Sequence, residues 1–340
     1  DFYYTPPANH LAICTSNRPV PAVIPSEHYN AVTYTGDGNN THAITGVGFQ
    51  PDFVWIKNRS AGAYHTLQDV IRTPDATIYS NTTEGQNATR QYVYSFDSDG
   101  FTTGNAGGAH KGPSNNSGDT YVGWNWKAGG SGSANTSGTI NSTVSVNTNA
   151  GFSIVKYTGN ATDNQTVGHG LSKVPEMVHV KNLGGYNWAA YHKYGHATTP
   201  ELNSGFLNLT NAFDETNDWS DDAFTATTFS LSGGASVNQN ATDHIAYCWH
   251  SVDGYSKMGS YVGNGSSSDG PFVYTGFRPA YVMIKSSDFA DIWGIYDNKR
   301  SPYNHVDEVL YAHSTGVENV NDSNVISSEL LTFASKYEQK

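Results

Sequence analysis

The sequence repeats one β-like segment three times, and this repetition constrains the fold more than any other feature. Each copy contains Tyr-x-Gly, a polar turn, an apolar stretch, a proline and a strand that ends on lysine, and the copies occupy residues 34–57, 157–181 and 261–285. The prolines and the lysines recur at the same separations of 124 and 104 residues. These anchors are Pro51, Pro175 and Pro279, and Lys57, Lys181 and Lys285. The repeat predicts homologous units of about 100 residues, a common size for a β-sandwich.

The composition indicates which secondary structure the units contain. Gly, Ser, Thr and Asn contribute 35, 34, 33 and 32 of the 340 residues, and there are 22 tyrosines. Small polar residues favour turns, whereas Tyr, Trp, Phe and Thr suit pleated, half-buried surfaces. We predict an all-β protein of three tandem β-sandwich repeats, lectin-like or jelly-roll-like. Short helices are expected only at 304–311 and 327–337.

The boundaries between units follow from the repeat and from local composition. Residues 1–27 are rich in proline and form an irregular lead-in, and the first repeat covers residues 28–128. Residues 129–150 are rich in Gly, Ser, Thr and Asn, so we expect a flexible linker that ends in a strand. The second repeat covers residues 151–254 and the third covers residues 255–340.

A tryptophan-bearing strand closes the first two repeats. TYVGWNWKAGG and HIAYCWHSVDG align Trp126 with Trp249, which follow the repeat lysines by 69 and 68 residues. The same interval after Lys285 reaches about residue 353, so the third repeat lacks its expected last strand and has an unpaired edge. Either a longer natural chain or a donated strand would complete it. The N-terminal DFYYT could donate a strand, in cis or from a neighbouring subunit.

Alternation along the lysine strands separates two faces. One face is β-branched, as in Val54 and Ile56, and we predict that it is core. The other face carries Phe53, Trp55 and Lys57 in the first repeat. We expect this face to be covered as well, with the lysine stem along apolar surface and its ammonium group in water.

Charge and motifs disfavour several classes of protein. Lys and Arg number 18 against 30 Asp and Glu, a net charge of −12, which disfavours nucleic-acid binding. No apolar stretch is long enough to predict a membrane span. Cys14 and Cys248 form neither a disulfide framework nor a C-x-x-C metal pair. Because nucleophile-elbow, dinucleotide, P-loop and zincin motifs are all lacking, we do not expect an enzyme.

Two groups of acidic residues were considered for catalysis or metal binding. Asp97 and Asp99 lie in SFDSDGFTTG, where Asp-Gly between two strands favours a hairpin over a catalytic pair. Asp218, Asp221 and Asp222 could hold calcium through oxygen ligands, but they lack the ligand periodicity of a calcium loop. We therefore predict no cofactor, with calcium as a weak alternative.

One set of side chains recurs after each lysine strand and is the main candidate for glycan contact. An aromatic or histidine ring comes first, an acid or histidine follows four residues later, and arginine follows in two of the three copies. The set is His65, Asp69 and Arg72; Trp188 and His192; and Trp293, Asp297 and Arg300. One interpretation is a shallow saccharide site, in which the ring stacks on a sugar and the charged groups bind its hydroxyls. The favoured interpretation is a buried ring with an ion pair that holds a loop.

The chain also contains thirteen N-x-Ser/Thr sequons. Their asparagines are Asn39, Asn58, Asn81, Asn87, Asn115, Asn135, Asn141, Asn160, Asn164, Asn208, Asn240, Asn264 and Asn321. One interpretation is N-glycosylation of a secreted protein. The favoured interpretation is that Asn and Thr are concentrated in β-turns.

Several phrases resemble a repeat of virion appendage proteins from marine bacteriophages, including tail-fibre-like proteins. They are GVGFQPDFVWIKNRS, FSIVKYTG with VGHGL, and YVGNGSSSDGPFVYTGFRPAYVMIK. The opening DFYYTPPANHLAICTSNRPVP resembles the end of a SPRY, concanavalin-like domain that often precedes these repeats. The resemblance implies a role in virion structure or receptor binding and supplies no catalytic residues. It also implies a homotrimer or another repeated virion subunit that contacts other virion proteins.

These observations lead to three functional hypotheses. The first is a non-enzymatic tail fibre, spike or capsid appendage on the virion surface, which attaches to host-surface carbohydrate through many weak contacts. The second is a secreted, N-glycosylated cell-surface protein that polymerises into an extracellular filament or sheath. The third is a polysaccharide depolymerase.

Overall fold

The computed structural model describes residues 23–72, 76–87, 92–104, 112–266, 270–303 and 306–320. Within these ranges the protein consists of antiparallel strand ladders, which confirms the predicted all-β class. In the part of the chain that the structure describes, helical structure is limited to one α-turn, α1 (Ala235–Asn238), and two 3₁₀ turns, Pro25–Glu27 and Pro200–Leu202. None of the described helices has the length and apolar character needed to cross a membrane.

The first repeat folds into two sheets that face each other. Its strands are β1 (Tyr29–Thr35), β2 (His42–Thr45), β3 (Phe53–Asn58), β4 (Thr66–Asp69), β5 (Val93–Asp97), β6 (Gly100–Thr103) and β7 (Thr120–Trp126). One sheet has the order β1-β7-β3-β4 and the other β2-β6-β5. The prolines before the lysine strands lie outside the ladders, where a missing N–H is harmless.

The second repeat extends the same arrangement. Its strands, with those of the linker, are β8 (Ser133–Asn135), β9 (Ser142–Asn147), β10 (Phe152–Thr158), β11 (Gln165–Gly168), β12 (Met177–Asn182), β13 (Trp188–His192), β14 (Asn203–Phe206), β15 (Asp214–Glu215), β16 (Thr228–Leu231) and β17 (Asp243–Trp249). The large sheet has the order β15-β14-β13-β12-β17-β10-β9-β8, and β11 pairs with β16. Its central order, β10-β17-β12-β13, reproduces β1-β7-β3-β4. The linker strands β8 and β9 add to this sheet through β10.

The third repeat contributes one described sheet with the order β18-β19-β20-β21. Its strands are β18 (Tyr281–Lys285), β19 (Trp293–Asp297), β20 (Glu308–Tyr311) and β21 (Asn319–Val320). The helix predicted at 304–311 is therefore wrong over Glu308–Tyr311. β20 pairs with β19 and buries Val309 and Leu310, and this tertiary pairing outweighs a weak helical preference. The helix predicted at 327–337 lies outside the described residues.

The β-branched face of each complete repeat forms the interior of a sandwich, as the alternation predicted. In the first repeat, Val54 and Ile56 pack with Ile44 and Phe101 of the facing sheet. In the second repeat, buried residues of β12 pack with buried residues of β11 and β16 in the same way. These two interiors account for the sandwich character of the fold.

The opposite faces of the three lysine-strand sheets meet in one shared core. This core combines large buried side chains from all three repeats, including Trp55 and Trp124 from the first, Trp188 and Tyr247 from the second, and Trp293 from the third. The first two repeats thus bury apolar surface on both sides of their main sheets. The repeats consequently pack together as one body and are not independent domains joined by linkers.

Two of the repeat lysines lie inside this packed region. The exposed fraction of Lys57 is 1% and that of Lys181 is 0%, so the prediction that their ammonium groups reach water is wrong. Carbonyl groups of neighbouring loops replace the water. Lys57 Nζ donates to Thr315 O at 3.4 Å, and Lys181 Nζ donates to Thr83 O at 3.1 Å and to Tyr186 O.

We expect these lysines to make the stability of the protein rise with pH above neutrality. Burial lowers the pKa of Lys57 to about 8 and the pKa of Lys181 to about 7, whereas the ordinary lysine pKa is 10.5. These two lysines therefore bind more protons in the unfolded chain than in the folded chain between pH 7 and pH 9, and folding becomes more favourable as the pH increases through this range. Each lysine contributes up to ~1.4 kcal/mol per pH unit within its window.

Urea unfolding at pH 7, 8 and 9 measures this slope. The control is Lys181→Met, which keeps an unbranched side chain and removes the titrating group. The slope should decrease in the variant, and an equal slope in both proteins would contradict the assignment to Lys181.

Candidate functional site

The recurring side chains proposed for glycan contact are mostly buried. His192 is half-buried, and the other seven have almost no exposed surface. Those seven are His65, Asp69, Arg72, Trp188, Trp293, Asp297 and Arg300. A sugar therefore has no access to these rings and ion pairs in the folded chain, and their contacts are those of the favoured, structural interpretation.

The three recurring rings connect the repeats in a cyclic order. One nitrogen of each ring forms a hydrogen bond with a backbone carbonyl of another repeat. The three carbonyls occupy equivalent positions beside β4, β13 and β19. The pairs are Trp188 Nε1 with Tyr79 O at 2.8 Å, Trp293 Nε1 with Phe206 O at 3.0 Å, and His65 Nε2 with Tyr311 O at 3.0 Å. Because Trp55 Nε1 donates to His65 Nδ1, the His65 proton lies on Nε2 and can be donated.

The first buried ion pair joins Asp69 to Arg72 and to the second repeat. Arg72 Nε lies 2.6 Å from Asp69 Oδ2, and both side chains are fully buried. The Tyr247 hydroxyl donates to the same carboxylate oxygen at 2.7 Å. Arg72 also donates to Ala76 O and Leu67 O. This network satisfies both charges and fixes the loop after β4 against β17.

The second buried ion pair has the same geometry between the third and first repeats. Arg300 Nε lies 2.5 Å from Asp297 Oδ2, and Trp124 Nε1 donates to that oxygen at 2.9 Å. Burial by itself would raise the pKa of Asp297, but the Arg300 guanidinium outweighs it and lowers the pKa overall. Trp124 and Tyr247 hold equivalent positions in β7 and β17, opposite Trp55 and His179.

The acidic residues considered for catalysis or calcium are not brought together. Asp97 and Asp99 lie at the β5–β6 hairpin, as predicted, and Asp99 accepts hydrogen bonds from Gly46 and Gly48. Asp218 is buried, whereas Asp221 and Asp222 are exposed. Across the described ranges, no group of three metal-binding side chains is placed to hold an ion.

The sequons divide by exposure. Asn39, Asn141, Asn160, Asn164, Asn240 and Asn264 are exposed, and Asn81, Asn87 and Asn135 are half-buried. Asn58, Asn115 and Asn208 are buried and hydrogen-bonded, so the folded chain has no room for a glycan on them. Asn321 lies outside the described residues. The side chains of these three buried asparagines hold loops in place through hydrogen bonds, which is the role expected of asparagines in turns.

An open groove of about 660 Å³ on the second repeat is a site that the sequence did not indicate. Its floor is apolar and includes Val174 and Ala223, which are exposed. It also includes Tyr191 and Phe224, which are 5% and 7% exposed and whose rings lie 4.2 Å apart. Its walls come from the loop before β12, the end of β13, the 3₁₀ turn at Pro200–Leu202 and the residues after β17. The charged residues at the groove are Lys173, Glu176, Lys193 and Glu201.

The carboxylate of Glu176 organises one side of the groove. It accepts the Lys193 ammonium at 3.0 Å and the Ser251 N–H at 2.6 Å. Burial would raise the pKa of Glu176, but the bonds from Ser251 and Lys193 lower it overall. Burial raises the pKa of Tyr191, and the charges of Glu201 and Glu176 act in the same direction, so its phenol stays protonated at neutral pH.

The groove could not be found from sequence because five separate segments form it. Residues 173–176, 191–193, 200–201, 223–224 and 250–251 are separate in sequence and share no motif with one another. Only the pairing of β12 with β13 and β17 brings them to one end of the sandwich.

The model of a protein family described as "Domain of unknown function (DUF7483)" matches residues 24–335. The chain belongs to this family. The matched range contains every described strand of the DUF7483 domain. The family model therefore covers all three packed repeats, including the groove. No curated protein and no solved structure matches the sequence significantly.

Proposed function

We propose that this protein is a non-enzymatic surface protein that binds glycans through the groove of its second repeat. The observation that carries the proposal is the combination of an apolar floor, whose exposed members are Val174 and Ala223, and charged groups on the walls. Sugars present apolar C–H faces and many hydroxyls, so they suit a floor and walls of this kind. Lys193 and Glu201 are the wall residues best suited to donate to and accept from those hydroxyls.

The chemistry of the groove favours binding over hydrolysis. A glycosidase needs a carboxylic acid with a raised pKa opposite a second carboxylate. Glu176 has a lowered pKa and both of its oxygens are engaged, one by Lys193 and one by Ser251. It is thus suited to hold Lys193 in place and not to donate a proton to a leaving group.

The virion appendage is the biological setting that we propose for this binding. It rests on the resemblance of the repeat phrases to marine phage appendage proteins. Such a protein would present one shallow groove per chain, and a homotrimer would multiply weak contacts with host-surface carbohydrate into strong attachment. Its location would be the virion surface.

A glycan array of neutral and acidic oligosaccharides tests the proposal, followed by isothermal titration of the strongest ligand. We expect Glu201→Gln to weaken binding about tenfold, since a hydrogen bond to a charged group contributes ~1.5–3 kcal/mol. Lys193→Ala should weaken binding to a similar degree. The matched control is Lys156→Ala, which removes another partly exposed lysine, the one paired with Asp243 on the sheet. Equal affinities for all four proteins would place the binding elsewhere.

Two alternative functions make different predictions. A glycosylated filament protein would lose mass on glycosidase treatment, and the exposed sequons such as Asn141 and Asn240 are where its glycans would lie. A depolymerase would release reducing ends from the bound oligosaccharide. A bare chain that binds glycans and releases no reducing ends would support attachment over both.

A further inference from the structure

The open edge of β18 distinguishes the third repeat from the other two. In the first repeat β3 pairs with β7 and β4, and in the second β12 pairs with β17 and β13. Among the described residues, β18 pairs only with β19. All five residues of β18 are half-buried, whereas β3 is buried along its whole length. Within the described residues, the edge that β7 and β17 cover elsewhere is therefore unpaired here.

The backbone of β18 is oriented to receive a strand on this edge. Asn298 N–H donates to Ala280 O at 3.1 Å, and hydrogen-bonded pairs alternate along an antiparallel ladder. The backbone groups of Val282 and Ile284 thus face β19. Those of the other three residues point to the open edge: Tyr281, Met283 and Lys285. The equivalent residues of β3, which include Lys57, face β7.

The segment that would lie on the far side of such a strand is open as well. Residues 256–262 occupy the position of β1 and β10 in the repeat, and those strands pair with β7 and β17. Residues 256–262 are described and form no strand, and Val262 is 88% exposed. Phe272 and Tyr274 are 67% and 71% exposed. These apolar side chains would be exposed in this way if the strand equivalent to β7 and β17 were missing from the third repeat.

We infer that β18 accepts an antiparallel strand with the sequence pattern common to β7 and β17. The two copies read TYVGWNW and DHIAYCW, with a β-branched residue third, a hydrogen-bonding aromatic fifth and tryptophan seventh. Both copies are already paired inside the chain, which also disfavours a second copy of the chain as the donor. No third copy of the pattern occurs in the sequence, and the N-terminal DFYYT has tyrosine third and threonine fifth, so the occupant that we infer is a strand of this pattern on a partner polypeptide.

The register of the added strand follows from the two existing ones. Trp124 lies opposite Trp55, and Tyr247 lies opposite His179. The fifth residue of the added strand would accordingly lie opposite Met283. Its tryptophan at the seventh position would lie opposite Tyr281, as Trp126 lies opposite Phe53.

The fifth residue would complete the cycle of contacts between repeats. Trp124 contacts Asp297 of the third repeat and Tyr247 contacts Asp69 of the first, which leaves His192 of the second. His192 Nδ1 accepts the Tyr194 N–H at 3.1 Å, and burial lowers the His192 pKa to about 4. The ring is thus neutral with its proton on Nε2, so this N–H can donate a hydrogen bond to the added strand. A tyrosine hydroxyl can accept this bond, whereas tryptophan cannot.

Titration of the 340-residue chain with a fluorescent peptide tests the inference. The peptide copies residues 242–250 with C248N, the residue that β7 has at that position. We expect one peptide to bind per chain, a scrambled peptide not to bind, and a Y247W peptide to bind more weakly. Hydrogen exchange at Tyr281 and Met283 should slow in the complex.

Two variants of the protein distinguish backbone pairing at the β18 edge from non-specific binding of the peptide. Met283→Ala removes the side chain and keeps the backbone N–H, whereas Met283→Pro also removes the N–H that faces the open edge. The proline variant should bind the peptide at least about tenfold more weakly than the alanine variant, which is ~1.4 kcal/mol. Equal affinities, no binding by the unsubstituted chain, or self-association of the chain through this edge would each overturn the inference.

Discussion

Asp69→Ala should lower the free energy of unfolding by about 3–5 kcal/mol, because it leaves the Arg72 charge buried without its partner. The Asp69 carboxylate lies 2.6 Å from Arg72 Nε and accepts the Tyr247 hydroxyl at 2.7 Å. Removal of one member of such a pair costs far more than the pair contributes, since the remaining guanidinium stays out of water. Chemical denaturation, followed by tryptophan fluorescence, measures the loss.

The matched control is an aspartate in an exposed ion pair. Asp243 lies 2.8 Å from Lys156 Nζ, and the two side chains are 42% and 35% exposed. Asp243→Ala should therefore cost no more than ~1 kcal/mol. Asp297→Ala should cost less than Asp69→Ala, because Arg300 Nη1 still lies 3.0 Å from Glu318 Oε1 when the Asp297 carboxylate is removed. A loss below ~1 kcal/mol at Asp69 would mean that Arg72 regains water or another partner.

The fold could be predicted from sequence where one residue type repeats with one spacing. The lysine strands, their β-branched faces and the alignment of Trp126 with Trp249 all follow from period-two alternation inside a recurrent segment. The structure confirms this part of the prediction. The strand at Glu308–Tyr311 was not found, because its identity depends on pairing with β19 and not on its own residues.

The contacts between repeats could not be predicted from the sequence. Alternation of apolar residues along a strand shows that both faces of the sheet are covered, but it does not show which segment covers the second face. The sequence indicated that Trp55 and Lys57 would be covered, but not that the three repeats would cover one another. Buried Lys57 and Lys181 are the clearest example, since each donates to one carbonyl that lies far away in sequence, Thr315 O and Thr83 O respectively. Recurrence in the sequence marks the ring and ion-pair positions, and only the geometry shows that they join the repeats.

Trp188→Ala should also cost about 3–5 kcal/mol, and it should do so by loosening the contact between the second and first repeats. The Trp188 ring is fully buried in the shared core, lies 6.3 Å from the Tyr247 ring, and donates from Nε1 to Tyr79 O. Its loss leaves a large cavity and removes that donor from the Tyr79 carbonyl. If this variant does not fold, Trp188→Phe keeps most of the volume and should lose ~1–3 kcal/mol with the hydrogen bond.

Trp219→Ala is the control that distinguishes loss of a contact between repeats from loss of bulk. Trp219 is as buried as Trp188 but packs only inside the second repeat, against Tyr191 and Phe224. Both variants should lose a similar free energy of unfolding. Only Trp188→Ala should raise hydrogen exchange across residues 76–87 of the first repeat, because only Trp188 reaches that segment. Unchanged exchange there in Trp188→Ala would show that the Tyr79 contact does not hold the two repeats together.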